Sequence, residues 1–356
     1  MSLEDVVAGI RPASPRARGA AQLRQELLTK PPGSLGQLEH LSLQLAAILE
    51  TEQPTLRGKA VVIAAGDHGV VAQKVTGYPQ EVTAQMVLNF LAGGAAINVM
   101  ARMAGVRLVI VDAGVATPLP AHPDLRVIGV GRGTADITEG PAMTREQAEM
   151  CVQAGITLAL EAAETGVDII GTGDMGIGNT TASSAVTAAL TGKPASETTD
   201  RGTGRSDSEL EHKIAVVERA LEVNQPDSGD GLDVLTKVGG FEIGLLAGVV
   251  LGGAFARRVV VLDGFISGAA GLIAHNLCPT VTDYTIAAHL SAESGHRVAL
   301  SHLGLRPLLD LGMRLGEGTG AVLAMGLIEA AGACLAEMST FAEAGVSDTE
   351  AEDPNG

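Results

Sequence analysis

Val167-Asp168-Ile169-Ile170-Gly171-Thr172-Gly173-Asp174-Met175-Gly176-Ile177-Gly178-Asn179-Thr180-Thr181 reads as three successive backbone states. Val167 to Ile170 is an apolar strand. Gly171 to Thr181 is a glycine-rich loop, and Ala182 to Leu190 can be helical. A strand, a glycine loop and a helix start make a cradle for an anion. Glycine lets a ligand approach the backbone, and the first helical amides carry the positive end of the macrodipole. The stretch points to a phosphate on a small metabolite.

Outward from it the same grammar repeats. β-rich runs fall at 60–65, 107–112, 126–130, 168–171, 259–263 and 284–289, with stretches of helical crossover length between most of them. That alternation predicts an α/β fold: a Rossmann-like, mainly parallel sheet of about six strands flanked by helices. Residues 20–28 and 35–49 carry apolar positions at helical spacing, and the chain reads as helical again after about 305, ending in 320–338. The expected division is a large nucleotide-binding domain over 56–304 and a small helical domain from 1–55 plus 305–345. Residues 346–356 are acidic, poor in large apolar side chains, and expected to be disordered.

With 356 residues and a formal charge of −17, the chain has little to offer a polyanion, which excludes nucleic acid and an anionic membrane as partners. A phosphate site must then be local, built from amides and a few Lys or Arg. Three scattered cysteines, Cys151, Cys278 and Cys334, read as buried thiols of a reduced, cytoplasmic protein without a zinc site. The most apolar segment, 243–256, falls short of the ~20 residues a membrane helix needs.

Four predicted strands end in an acid: Asp67, Asp112, Asp174 and Asp263. Beyond the carboxyl ends of parallel strands ligands bind, though one such Asp serves as readily as a turn or helix cap. Gly171 to Gly176 matches the dinucleotide pattern G-x-G-x-x-G, but no acidic residue ends a strand about twenty residues later, so a mononucleotide fits better. Arg201-Gly202-Thr203-Gly204-Arg205-Ser206, followed by Lys213, is either a second cradle or a solvated loop. Glu317, between glycines ahead of the last long helix, is either a helix-start acid or a general base. Val82, Gln85, Met86 and Asn89 share a helical face, as core with polar edges or as a platform for a flat heterocycle.

Taken in order, Lys30-Pro31-Pro32-Gly33-Ser34-Leu35-Gly36, Gly66-Asp67-His68-Gly69-Val70, Pro79 to Met86, Gly173 to Thr181, Gly202-Thr203-Gly204, Val238 to Glu242, Leu262-Asp263-Gly264-Phe265 and Gly316-Glu317-Gly318-Thr319-Gly320 closely resemble the nicotinate-nucleotide–dimethylbenzimidazole phosphoribosyltransferase family, over roughly residues 10–340. The resemblance implies a homodimer that uses small-molecule substrates and needs no metal or cofactor. Nicotinate mononucleotide and 5,6-dimethylbenzimidazole would give α-ribazole 5′-phosphate and nicotinate. Glu317 would be the catalytic base. The phosphoribosyl group would be held by Asp174, Met175, Gly176, Ile177, Gly178, Asn179 and Thr180, by Gly202, Thr203 and Gly204, and by Lys213 and Ser291. Gln85, Met86 and Leu315 would hold the benzimidazole. The chain departs from the family pattern at Asp174, where many relatives carry Glu, and at Ser206, where the family often has Asp.

Two other functions fit the same residues. One is a Mg²⁺-dependent phosphohydrolase built on the four strand-end acids with His68 assisting. The other is a sensor that binds a mononucleotide without consuming it.

Overall fold

The computed structural model describes residues 1–200 and 207–347. Gly202, Thr203 and Gly204, together with Ser206 and the acidic tail from Asp348, lie outside the described residues. Six strands form one all-parallel sheet: β1 (Gly58–Gly66), β2 (Arg107–Gly114), β3 (Leu125–Val127), β4 (Val167–Met175), β5 (Val259–Leu262) and β6 (Thr285–Ala287). Their spatial order is β3-β2-β1-β4-β5-β6. The chain winds outward from β1 to β3, returns to the centre at β4, and winds outward the other way. The strand order therefore reverses between β1 and β4, where a ligand crevice opens in such sheets. Both central strands are almost wholly buried, β1 through the run Ala60 to Ala65 and β4 through Ile169, Ile170 and the close-packed Gly171 to Gly173.

Two strand ends differ from expectation. β4 does not stop at Gly171; it pairs with β1 as far as Met175, opposite Ala65. Glycines 171 and 173 are thus strand residues, tolerated because other groups press against them. A Cβ at Gly173 would lie 2.5 Å from the Glu317 carbonyl oxygen, and one at Gly171 would lie 2.9 Å from Val61 and Met325. The expected helical stretch directly after 305 is instead irregular chain beside β6. Leu308 and Leu309 donate to Ala287 and Ala288, and Leu290 donates back to Leu309, so the edge strand's polar groups are satisfied. The helix begins only at Thr319 (Thr319–Glu337).

The contacts divide the chain into two compact units, Met1–Arg11 with Gly58–Met325, and Pro12–Arg57 with Gly326–Gly356. Residues 1–11 and 305–325 thus group with the sheet and not with the helical unit. Tyr284 Oη donates to the Arg11 carbonyl within the first unit. The second unit has its own small core of Ala21, Leu28, Leu43, Ala46 and Leu335. There the Arg24 guanidinium takes up the carbonyls of Leu335, Ala336 and Met338, which end the last long helix.

Val82–Ala104 and Thr319–Glu337 are long and apolar enough to cross a bilayer by length and composition alone. The first is two helices broken at Gly93-Gly94, and both stretches are substantially buried in the fold. Of the cysteines, Cys151 and Cys278 are buried, but Cys334 is only half-buried.

One face of the sheet is closed by the helix Phe241–Phe255, buried almost all round, crossing the helix Arg145–Glu164. The two backbones touch at glycines. A Cβ on Gly155 would strike the Leu245 carbonyl, and one on Gly248 would strike the Val152 carbonyl. Gly248→Ala should therefore cost about 1–3 kcal/mol by overpacking, read as a lower urea midpoint with unchanged slope.

Candidate active site

At the carboxyl edge of β1, Asp67 is buried and fully occupied. Its Oδ1 accepts from Thr83 Oγ1 (2.7 Å) and its Oδ2 from the Ala116 amide (2.8 Å). Thr83 Oγ1 in turn accepts from the Ile177 amide. Asp67 is thus a brace that carries the 176–178 turn on the helix Val82–Ala92. Burial raises its pKa, while those two donors oppose the rise. Asp112 closes a tight turn, accepting from Gly114 and Val115.

His68 and Glu242 form a buried pair, Nε2 to Oε1 at 2.7 Å. Gly66 and Gly240 make room for it, since a Cβ at either position would fall 2.7 Å from Glu242 Oε2. Burial works against a charged ring, yet the neighbouring Glu242, with Asp67 adding to it, holds the His68 pKa above its ordinary value.

The glycine turn after β4 differs from a simple cradle. The amides of Ile177, Asn179 and Thr181 already donate to Thr83 Oγ1, Gly176 O and Gly178 O. A Cβ at Gly176 would strike the Gly66 carbonyl. Gly178, at φ 96°, faces Val71 and His68. These two glycines serve the packing of the turn against the end of β1. Met175 is the half-buried last residue of β4.

Beside that turn lies a cavity of about 80 Å³, room for a few waters or one small anionic group. Asp174, Asn179 and Thr180 line one side, with Ser291, Leu315 and Gly316 facing them. Of the expected residues it therefore gathers Asp174, Asn179, Thr180, Ser291 and Leu315. Lys213 is buried and donates to Thr180 Oγ1 at 2.8 Å, which brings a cation behind the wall. The cavity also takes in four elements that sequence reasoning missed. The helix Phe265–Leu277 presents its N-terminus there through Phe265 and Ile266, with Gly264 as an N-cap that has no side-chain cap bond. His289, Glu293 and Arg314 complete the lining. The motif Leu262-Asp263-Gly264-Phe265 shows the same strand, glycine, helix grammar as the β4 turn and was the signal available. For Arg314 there was none. Gln85 is exposed and Met86 half-buried on the outer side of the helix Val82–Ala92, and neither lines this cavity.

Glu317 follows Gly316, the last residue in sequence that lines the cavity, and is not itself part of that lining. It is buried, and its backbone is left-handed at φ 63°, between Gly316 (φ 81°) and Gly318 (φ 90°). A non-glycine residue there is strained by about 1–3 kcal/mol, a cost that concentrates at functional sites. Its amide donates to the Asp174 carbonyl. Oε2 accepts from the Ile97 amide at 3.3 Å, in the first turn of the helix Ala96–Ala104. Among the described residues Oε1 has no hydrogen-bond partner. Burial raises the Glu317 pKa, and the Ile97 amide partly offsets it. Asp174 is raised well above its ordinary value, by burial first and then by Asp263, Glu242 and Glu317, with the Asn179 amide opposing. Asp263 is pushed up to about 7 by burial, although the amides of Ala321, Gly318 and Gly320 oppose it. Carboxylates raised by burial and by one another in this way are the kind that cluster at functional sites.

Among the described residues no three His, Cys, Asp or Glu side chains converge as metal ligands. Asp67, Asp112 and Asp263 are each turned onto hydroxyl or backbone amide donors, and Asp174 accepts from Asn179. The geometry thus lacks the converging carboxylates a phosphohydrolase would use.

A family model described as a phosphoribosyltransferase matches residues 10–346. Two curated proteins named nicotinate-nucleotide–dimethylbenzimidazole phosphoribosyltransferase align over nearly their whole length. That of a Roseiflexus species is 59% identical over 97% of this chain and 98% of its own. That of Chloroflexus aurantiacus is 58% identical over 97% and 99%. The crystal structure of the enzyme so named from Thermus thermophilus superposes with a TM-score of 0.90 at 49% identity, covering 94% of this chain and 99% of that one.

The His68–Glu242 pair has a pH signature. A raised histidine pKa means stability that is full below the unfolded value of about 6.5 and is lost as pH rises through the folded value. His68→Gln should cost about 3–5 kcal/mol at pH 6 and less at pH 9 in urea unfolding. An equal cost at both would mean that the folded ring is neutral throughout.

Proposed function

The chain belongs to the nicotinate-nucleotide–dimethylbenzimidazole phosphoribosyltransferase family, and on that premise we propose that it moves the 5-phosphoribosyl group of nicotinate mononucleotide onto 5,6-dimethylbenzimidazole. The products are α-ribazole 5′-phosphate and nicotinate, as cobalamin lower-ligand synthesis requires. One observation carries the reading. Glu317 is buried directly after Gly316, which lines the small cavity, and is held by one backbone amide through Oε2, with Oε1 available among the described residues.

The chemistry asks for little more. In nicotinate mononucleotide the glycosidic nitrogen is cationic; when the C1′–N bond breaks, its electrons return to nitrogen and nicotinate leaves without a general acid. One azole nitrogen attacks C1′ from the opposite face, which inverts a β-glycoside to an α-glycoside. The other azole nitrogen would then carry a proton on a cationic ring, and Glu317 Oε1 takes it. General-base assistance is typically worth ~10²–10⁴ in rate. Orienting both substrates contributes as much or more, since effective molarities reach roughly 10⁵–10⁸ M.

Asn179, Thr180 and Ser291, with the cations Lys213 and Arg314 and the N-terminus of the helix Phe265–Leu277, supply the donors a phosphate needs. Asp174, facing the same cavity with Oδ1 buried and unpartnered, suits a ribose hydroxyl. Leu315 is half-exposed beside Glu317 and gives an apolar surface for the base, with Gln85 and Met86 as further candidates on the Val82–Ala92 helix. Gly202, Thr203 and Gly204 remain proposed phosphoribosyl contacts on sequence grounds. A reduced, cytoplasmic setting agrees with three free cysteines.

We also propose that the chain works as a homodimer. Val99 and Met103, 55% and 75% exposed, stand one turn apart on the helix Ala96–Ala104, an apolar face suited to a second copy.

Incubation with nicotinate mononucleotide and dimethylbenzimidazole, followed by chromatography, should show free nicotinate and a new nucleotide in equal amounts. Binding without nicotinate release would favour the sensor. Glu317→Gln should keep nucleotide KM and lose about 10²–10⁴ of kcat; near-normal turnover removes Glu317 from the mechanism. Val99→Glu with Met103→Glu should convert a dimer to a monomer in sedimentation equilibrium, whereas an unaltered mass would place the interface elsewhere.

A further inference from the structure

We infer that Asp263 is a positioning residue that holds the general base in register, an inference that rests on the reading of Glu317 above. Asp263 closes β5, is buried, and does not line the cavity. Its Oδ2 accepts from the Gly318 amide at 3.2 Å and its Oδ1 from the Ala321 amide at 2.9 Å. The Gly320 amide points into the same carboxylate. One side chain thus gathers three donors from the four residues that follow Glu317. These are the orphan amides of the helix Thr319–Glu337, and a carboxylate is the natural cap for them.

What the cap holds is unusual. Gly316, Glu317 and Gly318 are consecutive left-handed residues, a conformation that the local chain does not favour for glutamate. The turn closes on itself through Thr319, whose Oγ1 and amide both donate to the Gly316 carbonyl. Asp263 then ties that turn to the sheet: its own amide donates to Thr172 Oγ1 of β4, which donates on to Ser267. Glu317 is therefore referenced to both β4 and β5, the strands that frame the cavity. His289 packs against the other side, its Nε2 3.9 Å from Asp263 Oδ1, and a Cβ on Gly320 would strike its ring. Burial lowers the His289 pKa, so the ring sits there as a neutral wall.

Asp263→Asn tests the role. An amide has one acceptor oxygen, so either Gly318 or Ala321 would face an NH₂ group in place of its partner. The expected result is a folded protein with kcat lower by at least about tenfold, within the ~10²–10⁴ attributable to the base, and nucleotide KM within about twofold. In a Glu317→Gln background the same change should have no further effect on residual turnover, because Asp263 acts only through Glu317. A folded Asp263→Asn protein with unaltered kcat, or a further loss in the double variant, overturns the inference. If Asp263→Asn does not fold, Thr319→Ala decides: a kcat loss with KM retained, absent from the Glu317→Gln background, supports it, and unaltered kcat overturns it. Glu317→Gln alone separates the two readings. Near-normal turnover there sinks the base itself, whereas a dead Glu317→Gln beside a normal Asp263→Asn sinks only the positioning role.

Discussion

At Gly173 the backbone of β4 lies so close to the Glu317 carbonyl that any side chain would collide with it. That approach places a left-handed glutamate beside the open edge of the central crevice. The Glu317 amide bonds the Asp174 carbonyl one residue further along β4, and Gly318 nests over Thr172 and Val61. The turn is therefore seated by shape on the middle of the sheet and not only by its own conformation. Strain of about 1–3 kcal/mol at one residue is tolerable when backbone, carboxylate cap and neighbouring strands all determine it.

Burial of four acids around that turn has a second consequence. Burial raises the pKa of Asp174, Asp263 and Glu317, and neighbouring acids add to the rise at Asp174 and Asp263, while Glu242 is paired with His68. Asp174 is raised well above its ordinary value, by burial first and then by neighbouring acids, with only Asn179 opposing the rise. Asp263 has three amides that favour its charged form. Glu317 has one amide, that of Ile97 in the first turn of a helix, which partly offsets the rise that burial causes. Burial leads the rise at Asp174, Asp263 and Glu317 alike, and hydrogen-bond donors oppose it at each.

Much of this was legible in the sequence. Strand, crossover and glycine grammar predicted the sheet and nearly every strand core, because parallel strands buried on two faces must be written as short Val, Ile and Ala runs. What stayed hidden was decided by contacts distant in sequence. β4 continues through Gly171-Thr172-Gly173, which local propensity reads as loop, since only the opposing turn explains glycine there. The 305–318 segment looked helical by composition, yet it satisfies the edge of β6. Asp67 and Asp263 were recognisable as strand-end acids, but their work as brace and cap required the partners Thr83, Ala116, Gly318 and Ala321. Arg314 and Glu293 carried no motif at all.

An acidic chain that is proposed to bind an anionic nucleotide must solve a long-range problem with short-range means. Net charge of −17 repels a phosphate at a distance, and salt screens that repulsion beyond about 8 Å. Inside the crevice the relevant fields are those of two helix starts, after β4 and after β5, with Lys213 and Arg314 close by. Most of the acids that make up the deficit lie elsewhere, and the few near the crevice are buried, with Asp174 and Asp263 pushed up by that burial. A phosphate in that cavity would meet Asn179, Thr180, Ser291 and Arg314 beside the acids Asp174 and Glu293, while the surrounding charge would discourage polyanions that could not enter so small a space. The two helix starts follow the neighbouring strands β4 and β5, on the same side of the strand reversal, and so open on one cavity at the carboxyl edge of the sheet.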